Sequence, residues 1–123
     1  MKRILIIDDN QMVVNLYRSA FASAGFGVEF ANDGESGMAA AHRMPPDVVL
    51  LDLMMPKMNG VDVLTALRKD PILSEVPVIV ISNAYTPERM EQLWKAGATQ
   101  ILTKASTRPS VLVDAVRTAL APK

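Results

Sequence analysis

The sequence predicts an α/β fold, a doubly wound, five-stranded parallel sheet built as one domain over residues 1–123. Short apolar runs alternate five times with longer amphipathic segments, which is the pattern of repeated βα units. Three of those runs are almost wholly apolar, as strands covered on both faces must be. Five units are too few to close an eight-fold barrel, so an open sheet remains.

The strands are expected at Arg3–Asp8 (RILIID), Val28–Ala31 (VEFA), Asp47–Asp52 (DVVLLD), Val76–Ser82 (VPVIVIS) and Gln100–Thr103 (QILT). The first, third and fourth lack polar alternation and belong at the centre, while the shorter second and fifth belong at the edges. Between them, Val13, Leu16, Tyr17, Ala20, Phe21 and Ala24 recur at three- and four-residue steps, predicting a helix over about 11–24 that Gly25 stops. Asp33-Gly34 opens a second helix, which Met44-Pro45-Pro46 closes because proline disfavours helical geometry in the residue before it. A third spans Val61 to Lys69 with Val61, Leu64 and Leu67 inward. Thr86-Pro87 reads as an N-cap and N1 proline for a fourth, which carries Met90, Leu93 and Trp94 to Gly97. The fifth, from Pro109 to Leu120, turns Leu112, Ala115, Val116 and Ala119 inward. No linker, repeat or low-complexity tract interrupts this series.

Composition narrows the function. Half the residues are hydrophobic, enough for a sizeable core, and thirteen Lys+Arg balance thirteen Asp+Glu. Without a net positive field, nucleic acid and anionic membranes are not expected as direct partners. The absence of cysteine removes disulfides and thiolate chemistry. The run Ile4–Ile7 ends at Asp8-Asp9, too short for a signal peptide core or a membrane span, so a cytoplasmic chain is expected.

In open sheets of this type ligands bind beyond the carboxyl ends of the strands, where strand order reverses. In the flavodoxin-like order 2-1-3-4-5 the first and third strands are neighbours, which brings Asp8, Asp9 and Asp52 together. Such carboxylates repel one another unless a cation compensates them. An oxygen-only, incomplete cage with room for waters and a phosphoryl oxygen suits Mg²⁺ better than Ca²⁺. Ser82 and Lys104, at the ends of the fourth and fifth strands, approach from the other side. One hydroxyl and one fixed positive charge beside a metal suit phosphoryl transfer, which depends on positioning and charge neutralisation. An Asp after a strand is more often a helix cap, and Asp9 or Asn10 could cap the first helix. Capping does not account for the set as a whole.

The sequence resembles the receiver domains of two-component response regulators over Lys2 to Leu120. The resemblance rests on ILIIDDN, VVLLDLMMPKMNG, VPVIVISNA and AGATQILTKA. It implies a phosphorylation-activated switch in which Asp52 accepts a phosphoryl group from a histidine kinase or phosphotransfer protein. By the same resemblance Asp9, Asp52 and the Met54 backbone carbonyl would bind Mg²⁺, with Asp8 assisting through water. Lys104 would pair with the phosphoryl oxygens, and Ser82 would swing in to hydrogen-bond one of them. The chain would then be a phosphoacceptor that takes part in its own phosphorylation and dephosphorylation, not an enzyme for an external substrate. As a monomer without an output domain, it would signal to a downstream protein through its own surface.

Three positions depart from the family pattern. Ile101 stands where Tyr or Phe usually turns inward as the hydroxyl moves, which puts the aromatic half of the switch in question. Ala105 replaces a proline that usually makes a cis peptide, and a non-proline cis bond costs about 3–4 kcal/mol. Asn83 replaces a small residue after the hydroxyl. Elsewhere, Met54, Met55 and Met58 read as gap-fillers ahead of a docking surface. Trp94 reads as core or partner face, and His42 as a solvated helix-end residue. Arg117 and Lys123 complement the negative end of the last helix.

Other function classes fit less well. An aspartate-based phosphatase needs a second acid two residues after the first, and that position is Met54. A nucleotide- or flavin-binding module needs a phosphate-cradling loop, but neither G-x-G-x-x-G nor G-x-x-x-x-G-K-[ST] occurs. A cobalamin site lacks its Asp-x-His-x-x-Gly. A receiver-like module that binds proteins without phosphate, and a receiver fragment of a larger regulator or hybrid kinase, remain as alternatives.

Overall fold

Each apolar run forms a strand and each amphipathic segment a helix, in the order β1 (Arg3–Ile7), α1 (Gln11–Ser23), β2 (Gly27–Ala31), α2 (Gly34–Arg43), β3 (Val48–Asp52), α3 (Gly60–Lys69), β4 (Val78–Ser82), α4 (Pro87–Ala96), β5 (Gln100–Thr103) and α5 (Pro109–Leu120). This computed structural model describes every residue except Met54, Pro56, Lys57, Ala84, Pro122 and Lys123. The expectations placed on Met54 and Lys123 lie outside the described residues.

All strand pairs are parallel, in the order β2-β1-β3-β4-β5. The two edges and three central strands are those the apolar runs predict. Alternation along the central strands sorts their side chains into two layers. Ile4, Ile6, Val48, Leu50, Ile79 and Ile81 face α1 and α5, meeting Val14, Tyr17, Phe21, Leu112, Val113 and Val116. Leu5, Ile7, Val49, Leu51, Val78 and Val80 face α2, α3 and α4, meeting Ala40, Val63, Leu64, Leu67 and Leu93. Each fully buried Leu, Ile or Val contributes about 1.5–3 kcal/mol of transfer free energy. The sheet is therefore a rigid base for the loops at its carboxyl edge.

Helix ends follow local chemistry. Asn10, not Asp9, caps α1, its side chain accepting from the N–H groups of Met12 and Val13. Asp33, Asn59 and Thr86 cap α2, α3 and α4. Gly97 ends α4 at φ 103°, a left-handed conformation that glycine adopts without a Cβ penalty.

Several boundaries and faces differ from expectation. β1 stops at Ile7, so Asp8 lies beyond the strand, although its N–H still bonds the Ala31 carbonyl. β4 starts at Val78, because Pro77 has no N–H for the ladder, although its carbonyl accepts from Val49. Leu16 is 55% exposed, and the buried stripe of α1 is Val14, Tyr17 and Phe21. The 14–17–21 spacing faces the sheet, and Leu16 lies one residue, about 100°, round the helix. On α4 only Leu93 is buried, while Met90 is exposed and Trp94 is 51% exposed.

Candidate functional site

Asp8, Asp52, Ser82 and Lys104 converge because their strands end in register. Ile7 pairs with Leu51, Asp52 with Ile81, and Ser82 with Thr103. Asp8 thus emerges beside Asp52, and Lys104 follows β5 directly in a short 3₁₀ turn over Lys104–Ser106. Asp52 and Ser82 close strands that are buried along their whole length and are themselves only 5% and 3% exposed. Asp8 is 2% exposed, whereas Asp9 is exposed.

One carboxylate oxygen from each of Asp8, Asp9 and Asp52 lies within 4.8 Å of the others. Asp8 Oδ1 accepts the Asn10 N–H at 2.9 Å, which fixes the carboxylate at the turn into α1. Asp8 Oδ2 is shut off from solvent and faces the Lys104 ammonium at 2.9 Å as a buried ion pair. Lys104 also stands 3.5 Å from Asp52 Oδ1. Burial alone pulls the Lys104 pKa down, but the Asp8 contact and the charges of Asp52 and Asp8 outweigh it, leaving the pKa above the ordinary lysine value. The ammonium is held charged between two buried acids.

Among the described residues, three carboxylates against one lysine leave an excess of negative charge. A buried carboxylate oxygen beside two further carboxylates fits a hard, oxygen-preferring divalent cation. The residues present therefore suit Mg²⁺.

The loop from β3 to α3 is shaped by Gly60. A Cβ at this position would lie 2.8 Å from Leu53 Cα and 3.0 Å from the Asp52 carbonyl, so only glycine lets α3 start against the backbone that follows Asp52. The Gly60 N–H bonds the Leu53 carbonyl at 2.9 Å. Met55 and Met58 are partly buried against the α2–α4 layer, as gap-fillers would be.

A family model for the response regulator receiver domain matches residues 4–117. The chain belongs to this family. Receiver domains of this family are phosphoacceptor signalling domains of two-component systems. It is 38% identical over 104 residues to the DNA-binding dual master transcriptional regulator RpaA of Synechocystis sp., covering 85% of this chain and 43% of that protein. It is 36% identical over 102 residues to the response regulator PleD of Caulobacter vibrioides, covering 83% of this chain and 22% of that one. This receiver thus spans less than half the length of these curated relatives. The crystal structure of the chemotaxis protein CheY4 of Vibrio cholerae superposes with a TM-score of 0.91 at 28% identity, over 98% of this chain and 99% of that one.

The three departures now have structural surroundings. Ile101 is partly buried against the α2–α4 layer and pairs with Val80. The described backbone contains no cis peptide, so the Lys104–Ala105 bond is trans. Asn83 Oδ1 accepts the Ala105 N–H at 2.7 Å. Sequence reasoning missed two tyrosines near the site. Tyr17 on α1 is buried, and its phenol pKa is raised by that burial and further by Asp8 and Asp52, against an opposing effect of Lys104. Tyr85 donates its hydroxyl to the Leu102 carbonyl at 2.6 Å, and its pKa is pushed up to about 12 by burial and then by the charge of Asp52. The only sequence signal for Tyr85 was an aromatic residue just past a strand end.

No helix among the described residues is long and apolar enough to cross a membrane.

Proposed function

We propose that this receiver, residues 1–123, is a phosphorylation-activated switch in which Asp52 takes a phosphoryl group from a histidine kinase or phosphotransfer protein. The observation that carries this reading is the Asp8–Asp9–Asp52 cluster with Lys104 poised 2.9 Å from Asp8 and 3.5 Å from Asp52. An Asp52 carboxylate oxygen attacks the phosphorus of the donor. The P–N bond to the donor imidazole breaks as the O–P bond forms, and the leaving nitrogen keeps the electron pair. Asp9, Asp52 and the Met54 carbonyl would hold Mg²⁺, with Asp8 assisting through water, and the ion when bound would offset charge on the phosphoryl oxygens.

Lys104 pairs with a second phosphoryl oxygen, which its short reach to both acids allows. Ser82 donates its hydroxyl to a third. Attack of water on the acyl phosphate returns inorganic phosphate and the Asp52 carboxylate, so the signal is self-limiting. The added phosphate carries about −1.5 to −2 charge and three strong acceptors. With Ile101 in place of an aromatic, the change reaches the surface by another route. The receiver acts as a monomer in the cytoplasm and presents that altered surface to a downstream protein, without direct nucleic-acid contact.

Incubation with Mg²⁺ and a small-molecule phosphodonor, followed by intact-mass measurement, tests the reading. One labile phosphoryl group per chain is expected. No uptake would favour instead a protein-binding module that works without phosphate.

A further inference from the structure

We propose that Asn83 and Tyr85 form a two-point latch that fastens the segment after β4 to the end of β5, and that phosphoryl capture at Asp52 is transmitted to α4 by release of this latch. The inference rests on the phosphoacceptor reading above and assigns its conformational readout.

The first point is the 2.7 Å bond from the Ala105 N–H to Asn83 Oδ1. Its position is informative, because Asn83 directly follows Ser82 and Ala105 directly follows Lys104. The bond joins the immediate neighbours of the two residues that frame Asp52 from the β4–β5 side. It also links two departures from the family pattern. A proline at 105 would have no N–H to donate, and a small apolar residue at 83 would have no oxygen to accept.

The second point is Tyr85. Its hydroxyl donates to the Leu102 carbonyl on β5 at 2.6 Å, with the Val80 carbonyl of β4 at 3.4 Å. The ring is partly buried against the α2–α4 layer that also takes Ile101. An aromatic residue on the β4–α4 segment thus packs into the same layer as the aliphatic residue that stands on β5. Tyr85 also feels the charge of Asp52, so it lies within electrostatic reach of the reacting carboxylate.

Both points pull the same way. Drawing Ser82 toward a phosphoryl oxygen moves the backbone that carries Asn83 and Tyr85, and neither hydrogen bond survives a displacement of more than a few tenths of an ångström unchanged. Thr86 follows at once and caps α4 through the Arg89 N–H at 3.1 Å. There is little slack between the latch and the helix that carries Trp94, which is exposed and reports on its own environment.

The test is titration of the full chain with beryllofluoride, a stable phosphoryl mimic, in Mg²⁺, read by Trp94 fluorescence and by ¹⁹F NMR for stoichiometry. Because the latch holds the resting form, Asn83→Ala, Ala105→Pro and Tyr85→Phe should each lower the half-saturating concentration about 2- to 10-fold, one hydrogen bond's worth. Asn83→Ala with Ala105→Pro should do no more than either alone, since both remove one bond. Ala105→Gly keeps the N–H and should respond like wild type. If Ala105→Pro fails to fold, Asn83→Ala and Tyr85→Phe still decide. Wild-type stoichiometry with unchanged or raised half-saturation in the variants overturns the latch alone. Absence of beryllofluoride binding to wild type overturns the phosphoacceptor reading and the latch with it.

Discussion

Lys104 Nζ lies closer to Asp8 Oδ2, at 2.9 Å, than to Asp52 Oδ1, at 3.5 Å. In the resting chain the lysine is anchored by the acid that is not the proposed nucleophile, and Asp52 is left the weaker claim on it. A phosphoryl group on Asp52 would reverse that preference. Lys104→Ala is therefore expected to slow phosphoryl uptake about 10²-fold, the usual effect of removing one charge-stabilising donor. Time courses of phosphorylation by a small phosphodonor measure this, and a rate within threefold of wild type would remove Lys104 from the mechanism.

The acidic cluster makes a separate claim about metal. At ten times its Kd, Mg²⁺ should stabilise the folded chain by about 1.4 kcal/mol, visible as a rise of a few degrees in Tm. Asp9 is exposed, so Asp9→Ala should fold normally yet lose most of that rise. An equal rise in wild type and variant would place the ion elsewhere.

Arg68 holds the opposite end of the sheet. From α3 its guanidinium donates to the carbonyls of Ser74 and Val76 at 3.1 and 2.7 Å and to Gly97 at 3.1 and 2.9 Å. Burial lowers its pKa. Arg68→Ala leaves three carbonyls without this donor and should cost about 2–4 kcal/mol in chemical denaturation. Arg68→Lys should recover only part, because an ammonium lacks the planar fork that reaches all three. A loss below about 0.5 kcal/mol for Arg68→Ala would contradict this role.

At the surface, Asp70 accepts from the His42 ring and from the backbone N–H groups of Ile72 and Leu73, and its pKa lies below the ordinary aspartate value chiefly through the His42 bond. A lowered carboxylate pKa stabilises the fold above the unfolded value, near ~3.9, and that contribution is lost as pH falls through the folded value. The stability gap between wild type and Asp70→Asn should therefore shrink as pH drops below about 4. Urea titrations across that range measure it, and a gap that widened on acidification would show the sign to be wrong.

The fold and the acidic cluster were legible because they depend on local pattern. Apolar runs marked the three central strands, and the Thr86-Pro87 and Asp33-Gly34 pairs marked helix starts through capping chemistry. Asp8, Asp9 and Asp52 followed once the strand order was set, since register brings strand ends together. What escaped were features decided by tertiary partners. Leu16 and Val14 are both apolar, and only the helix's placement on the sheet chose Val14. Arg68, Asn83 and Tyr85 act through backbone carbonyls or N–H groups distant in sequence, and main-chain partners carry no residue-type signal. His42 is the exposed helix-end residue the sequence suggests, and only its bond to Asp70, 28 residues away, went unseen.

The most direct test of the phosphoacceptor reading compares wild type with Asp52→Asn by intact mass after incubation with Mg²⁺ and a small phosphodonor. Wild type should gain one phosphoryl group, labile in base, and Asp52→Asn should gain none. Uptake by Asp52→Asn at the wild-type rate would contradict the account.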